Sequence, residues 1–187
     1  KIGAQCVAHG STGAGNDQVR FDMIFNTLIP GVEIITPIRD LKLSREAEID
    51  YLGKHGFPYS AEKAKYSINK GLWGTSVGGA ETLTSNQYLP ESAWPTPATS
   101  TEPQTITIDF EKGEPVGLNG EKIGAVKVIQ QLQDIAQPYG IGRDIHVGDT
   151  IIGIKGRVGF EAAGPIILVK AHHTLEKHTL TKWQLSW

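Results

Sequence analysis

Cysteine is almost absent from this sequence: Cys6 is the only one in 187 residues, so no intrachain disulfide can form. Such sparing use fits a reducing compartment, the cytoplasm. Within the apolar run Cys6-Val7-Ala8 the thiol is expected to be a buried structural group. Long hydrophobic runs are missing too: no segment approaches the ~20 apolar residues that span a bilayer, and no leader pattern opens the sequence. A membrane partner is therefore not expected. Neither sign of charge dominates, since 18 Lys and Arg face 20 Asp and Glu for a formal net charge of −2. The basic residues are scattered, which argues against nucleic acid as a partner and leaves room for a local pocket holding a small anion. No internal repeat is visible.

What is present is ordinary for a soluble globular protein, 39% hydrophobic and 20% charged, and long enough for one large or two small domains. Lys1 starts directly in a strand pattern and Trp187 falls within a helix pattern, so both ends read as cut from something longer. Lys1 to His9 reads as a buried strand, followed by a glycine loop and a helix opening near Asn16. Phe21, Ile24, Phe25 and Leu28 recur at helical spacing and predict a core-facing stripe, which Pro30-Gly31 ends. Val32 to Ile38 is the next strand. Ser44 is placed to cap a second helix, with Glu46 and Glu48 in its first turn and Lys54-His55-Gly56 at its close. This alternation predicts part of a parallel sheet with crossover helices.

Beyond Phe57 the pattern changes. Residues 88–103 carry four prolines among Ser and Thr and read as an extended surface loop. Gln104 to Phe110 alternates as a half-buried strand, in a hairpin with Pro115 to Leu118. Val126, Ile129, Leu132 and Ile135 form a helix stripe that Pro138 ends. Thr150 to Ala163 reads as strand and tight turns, and Pro165 opens a long helix running to the end of the chain. The expected fold is α/β passing to α+β, with residues 1–57 the C-terminal part of a parallel-sheet nucleotide-binding domain and 58–187 part of an α+β synthetase domain.

His172, His173, Glu176 and His178 lie close together, but structural zinc sites add Cys or a second, separated ligand pair, so a polar helix face is expected and no metal ligand is assigned. Trp73, Trp94, Trp183 and Trp187 are expected to pack rather than to form a stacking platform.

The stretch from Ala8 to Asp22, AHGSTGAGNDQVRFD, carries the chemistry. A glycine loop between a strand and a helix N-terminus can bring bare N–H groups to an anion. It can equally be a tight turn whose glycines serve only backbone geometry. The spacing Gly10, Gly13, Gly15 matches neither the dinucleotide fingerprint nor the P-loop, so the glycines alone do not decide. Asn16 and Arg20, four apart, share a helix face, with Asp17 on the adjacent edge. Capping accounts for Asn or Asp there, but a cation in the first turn opposes the helix dipole. A guanidinium aimed at a substrate carboxylate accounts for Arg20, and the set points to a zwitterionic, amino-acid-like ligand.

This stretch closely resembles the signature of the argininosuccinate synthase family, T-G-x-G-N-D-Q-V-R-F. The resemblance continues through YSINKGLWGTS (Tyr66 to Ser76), GRDIHVGDTIIGIKGRVGFEAAGP (Gly142 to Pro165) and AHHTLEKHTLTKWQ (Ala171 to Gln184). It implies an ATP-dependent ligase that joins citrulline and aspartate through a citrulline-adenylate. By matching positions it implies ATP at Ala8 and Gly10, and aspartate at Thr12, Asn16 and Asp17. Citrulline would meet Asn16, Arg20, Ser67, Ser76 and Phe160. It also implies Mg²⁺ with the ATP, with no residue assignable to it, and a homotetramer for the full-length protein. Such chemistry needs no side-chain nucleophile, because both nucleophiles come from substrates.

The chain departs from the family in several places. Ala14 stands where many relatives have Lys, and Asn69-Lys70-Gly71 where many have Asp-Glu-Asn. A Glu and a Tyr that the family uses on citrulline align with Gly148 and Phe160, with Asp149 a candidate to supply the carboxylate. The family's Ser-Gly-Gly-x-Asp-Thr-Ser loop for pyrophosphate does not occur in these residues, and neither does its C-terminal oligomerisation arm. The chain alone is therefore expected to be inactive. The alternatives are a non-catalytic nucleotide- or amino-acid-binding module and an assembly domain.

Overall fold

A computed structural model of the chain describes residues 3–59 and 65–187. It divides into two compact units, one of residues 1–65 and 147–156, the other of 66–146 and 157–187.

In the first unit, strand β1 (Cys6–Ala8) leads into helix α1 (Asn16–Leu28), and strand β2 (Glu33–Ile35) pairs parallel to β1 with Val7 opposite Ile34. A short α2 (Pro37–Asp40) and α3 (Arg45–Lys54) follow. The Ser44 hydroxyl accepts from the Ala47 N–H and caps α3, as its position predicted. The expected strands shrink to three residues each, and Val32 to Ile38 yields its last residues to α2, where Pro37 takes the first turn.

Cys6 is exposed, not buried. Side chains alternate across a strand, and in β1 only the middle residue, Val7, is half-covered. The α1 stripe is likewise open, with Phe21 40%, Ile24 46% and Leu28 74% exposed. A two-stranded sheet is too narrow to cover a helix face. Among the described residues of this unit, the buried ones are Gln18 and Thr36, both polar.

The apolar core lies in the second unit. Strands β3 (Ser67–Gly71) and β4 (Gly74–Gly78) form a hairpin, and β5 (Ile108–Glu111), β6 (Glu114–Leu118) and β7 (Glu121–Lys122) a three-stranded antiparallel sheet. Helix α4 (Ala125–Ala136) packs on β6 and on α5 (Ala163–Thr179). Leu118, Val128, Ile129, Leu132 and Leu168 are buried together there. Val126 of the expected stripe is 55% exposed and Val128 takes its place, one turn-edge around the helix. Strands β8 (Arg143–Asp149) and β9 (Lys155–Glu161) complete a sheet of order β3-β4-β9-β8, with residues 143–146 and 157–161 in this unit.

The final helix starts two residues before Pro165 and stops at Thr179. A second helix, α6 (Lys182–Ser186), follows, because Thr181 and Gln184 form a reciprocal capping box that begins a new helix. Residues 88–103 are not a mere surface loop, since Leu89 and Ala93 are buried with Val77. Of the tryptophans, only Trp94 packs in a core; Trp73, Trp183 and Trp187 are 58%, 70% and 102% exposed. Among the described residues no helix is long and apolar enough to cross a membrane.

Candidate functional site

The loop from His9 to Gly15 joins the end of β1 to α1. Ala8 closes β1 opposite Ile35, and the His9 N–H donates to the Ile35 carbonyl, so the loop leaves the strand in fixed register. Gly15 is the N-cap of α1 and has no side chain to accept the first-turn N–H groups, unlike Ser44 at α3.

The three loop glycines are not in the left-handed region that requires glycine. A Cβ at Gly10 would lie 3.7 Å from Ile38 Cγ1, at Gly13 3.6 Å from Arg39 Cγ, and at Gly15 3.5 Å from Thr12 Oγ1. These are ordinary contact distances. Neither backbone conformation nor crowding within the unit accounts for glycine here, so the tight-turn account loses its physical basis.

Asn16, Asp17 and Arg20 do gather on the first turns of α1, beside Thr12. Asn16 Oδ1 accepts from the Ile151 N–H at 2.7 Å, within the same unit. Arg20 Nη1 donates to Asp17 Oδ1 at 2.9 Å, three residues back along the helix. Both are well exposed, so each keeps faces open to solvent.

Beneath the loop lies a set of side chains to which the sequence reading gave no role. Asp22 Oδ2 accepts from Arg39 Nη1 at 2.6 Å and Asp22 Oδ1 lies 3.2 Å from His9 Nε2. Arg39 Nη1 also donates to Gln18 Oε1 at 3.1 Å, and Gln18 Nε2 donates to the Gly13 carbonyl. The Arg39 guanidinium holds the Asp22 carboxyl below the usual carboxylate range, with His9 acting in the same direction and desolvation opposing both. Asp22 stands inside the signature stretch and Arg39 just after β2, but only chain return brings them together.

In the second unit, Ser76 on β4 lies directly opposite Phe160 on β9, and Ser67 on β3 opposite Gly78, two residues from Ser76. Ser67, Ser76 and Phe160 therefore share one sheet face, because alternate residues of a strand point the same way. The opposite face carries the buried Thr75, Val77 and Glu161. Asn69, opposite Ser76, shares the open face, and the His146 ring meets the Phe160 ring edge-on at 6.1 Å. The sequence reading missed both; period-two counting from Ser67 and Ser76 would have found Asn69. Asp149, in the first unit, is engaged by Lys155, 2.7 Å away.

The histidine group on α5 is a polar helix face. His172 Nδ1 lies 3.2 Å from Glu176 Oε1 and its ring meets Phe110 edge-on. Among the described residues no group of three His, Cys, Asp or Glu could hold a metal ion.

Two family models match this chain, one over each part of it. Residues 1–58 match the family model for the arginosuccinate synthase N-terminal HUP domain, and residues 66–187 that for the arginosuccinate synthase C-terminal domain. The chain is 42% identical to the argininosuccinate synthase of Methanocaldococcus jannaschii over 99% of its own length and 48% of that protein's. It is 41% identical to that of Pyrococcus furiosus, over the whole chain and 46% of the relative. With that of Dehalococcoides mccartyi it shares 43% over 98% of the chain and 46% of the relative. The chain thus spans about half the length of the curated relatives it matches. An N-terminal parallel-sheet HUP-like region followed by an α+β region, matched along nearly the whole sequence, places this chain in the argininosuccinate synthase family.

Proposed function

We propose that the chain is part of an ATP-dependent ligase that joins citrulline to aspartate, with residues 1–57 serving nucleotide binding and 58–187 belonging to the synthetase domain. The citrulline ureido oxygen attacks the α-phosphate of ATP and pyrophosphate leaves. The aspartate amine then displaces AMP, giving argininosuccinate. No protein nucleophile is needed, and the protein contributes positioning and charge stabilisation.

The observation that supports this reading best is the loop itself: glycines that the backbone does not require, at an uncapped helix N-terminus. Bare N–H groups and the helix dipole suit a phosphate, and missing Cβ atoms allow its close approach. Ala8 and Gly10 lie against ATP in this reading. Thr12, Asn16 and Asp17 hold aspartate, with the Asp17 carboxylate on its ammonium; Asn16 and Arg20 hold citrulline, with the guanidinium on its carboxylate. Ser67, Ser76 and Phe160 offer citrulline a surface of two hydroxyls and a ring. Mg²⁺ accompanies ATP, but the described acidic residues form no group fit to hold it, so none is assigned. The full-length protein is a cytoplasmic homotetramer in this reading. The chain alone turns nothing over, since its residues include no Ser-Gly-Gly-x-Asp-Thr-Ser loop.

The test is an assay of the full-length protein carrying this sequence for AMP release with citrulline, aspartate and ATP. Release that depends on both amino acids is expected. Arg20→Ala should lower kcat/KM for citrulline by about tenfold to hundredfold, the worth of a charged hydrogen bond. Undiminished activity in that variant would remove Arg20 from the site.

A further inference from the structure

The polar set beneath the loop has a fixed polarity, and both of its ends are on loop backbone. The His9 side chain is only 7% exposed, and its ring packs on Phe21 at 5.3 Å. Its Nε2 faces Asp22 Oδ1 at 3.2 Å, while its Nδ1 accepts from the Ser11 N–H at 3.3 Å. An ionised carboxylate can only accept and a backbone N–H can only donate. Both bonds coexist only if Nε2 carries the proton and Nδ1 is bare, so Asp22 selects one neutral tautomer of His9.

The other oxygen of Asp22 accepts from Arg39, which also donates to Gln18 Oε1. That fixes the Gln18 amide with its nitrogen toward the Gly13 carbonyl. The network therefore holds Ser11 by its N–H and Gly13 by its C=O, and Thr12 sits between them.

We propose that Asp22 is a positioning residue: through the His9 tautomer and through Arg39 and Gln18 it presets the Ser11–Gly13 backbone, and with it Thr12, for the α-amino acid that Thr12 and Asp17 receive. The ligand half rests on the function proposed above. A purely structural role accounts poorly for the placement. Both arms of the network end on loop backbone, at the Ser11 N–H and the Gly13 carbonyl, and neither ends inside a helix or strand.

The test is long-range ¹H–¹⁵N NMR of the histidine rings, with amide exchange, on the whole chain at about pH 8, above the histidine titration range. Wild-type His9 should be the Nε2–H tautomer. Asp22→Asn, whose amide can also donate to Nε2, should mix the tautomers and speed Ser11 exchange about tenfold, while amides Phe25 to Leu28 in α1 keep their protection. Asp22→Glu should restore both readouts. Aspartate affinity by calorimetry should fall about tenfold in Asp22→Asn. A wild-type His9 in the Nδ1–H form, or unchanged tautomer and exchange in Asp22→Asn, overturns the proposal. So does a loosened loop with unchanged aspartate affinity. If Asp22→Asn does not fold, Gln18→Met tests the second arm, and unchanged Gly13 to Gly15 exchange overturns it. If wild type binds no aspartate while the tautomer and loop respond as stated, the ligand assignment falls and the preset backbone stands.

Discussion

Asp17 and Arg20, assigned to different substrates, hold each other across one turn of α1, Nη1 to Oδ1 at 2.9 Å. Both side chains are more than half exposed. Such a pair is worth about 0.2–1 kcal/mol, less than the ~1.5–3 kcal/mol of a charged hydrogen bond to a ligand. Substrate can therefore recruit either partner without a large opposing term. Asp17→Asn should weaken aspartate binding about tenfold, yet leave citrulline affinity unchanged or up to about threefold tighter as Arg20 is released. Calorimetry with each amino acid in the full-length protein checks this. A parallel loss of both would mean the pair acts as one structural unit.

The loop glycines separate folding from binding. At Gly10 and Gly15 a methyl group fits and the backbone conformation accepts alanine. Gly10→Ala should thus keep or gain stability, by up to about 1 kcal/mol through the unfolded state, whereas at Gly15 the poor capping by alanine offsets that gain. ATP affinity should fall at least tenfold where the methyl meets the nucleotide. Denaturant unfolding beside nucleotide titration reads the two effects independently.

Gly142 is the opposite case. Its φ is +76°, and a Cβ would lie 2.6 Å from the Ala162 carbonyl carbon and oxygen. Gly142→Ala should destabilise the second unit by about 2–4 kcal/mol, measured by thermal or denaturant unfolding.

Arg143 and Glu161 form an ion pair largely removed from water, with side chains 11% and 2% exposed. Arg143 also donates to Glu91 and to the Thr96 carbonyl, and its guanidinium lies over the Trp94 ring, so it ties residues 91–96 to the sheet. Arg143→Met strands a buried carboxylate and should cost about 3–5 kcal/mol. Arg143→Met with Glu161→Gln should recover part of that, a coupling that a double-mutant cycle measures.

Acid should loosen the first unit through Asp22. Its folded-state pKa is lowered, chiefly by Arg39, so the fold favours the carboxylate. The resulting stability is whole above the ordinary aspartate range and is lost as pH falls from about 4 through the folded value. In wild type, α1 amide protection should drop over that window, and in Asp22→Asn the drop should be shallower.

Much of this was legible in the residues because it is local. The Ser44 cap, the α1 start at Asn16 and the Ile108–Leu118 hairpin follow from spacings within a few positions. The α1 stripe shows the limit of that reading. Periodicity marks which side chains share a face, and only the neighbouring layer decides whether the face is covered. The same holds for Cys6, whose apolar neighbours in sequence are not neighbours in depth.

The sequence by itself determined the family, the loop and the residue types on the first turns of α1, since motif order and helical spacing are properties of the chain. Tertiary structure decided which groups speak to one another. Asp22 meets His9 and Arg39 across separations of 13 and 17 residues, and Gln18 meets Arg39 across 21. It also set Ser76 opposite Phe160 by strand register. Such pairings depend on where the chain returns, and a hydrogen bond is selected by distances of a few tenths of an ångström that no spacing encodes.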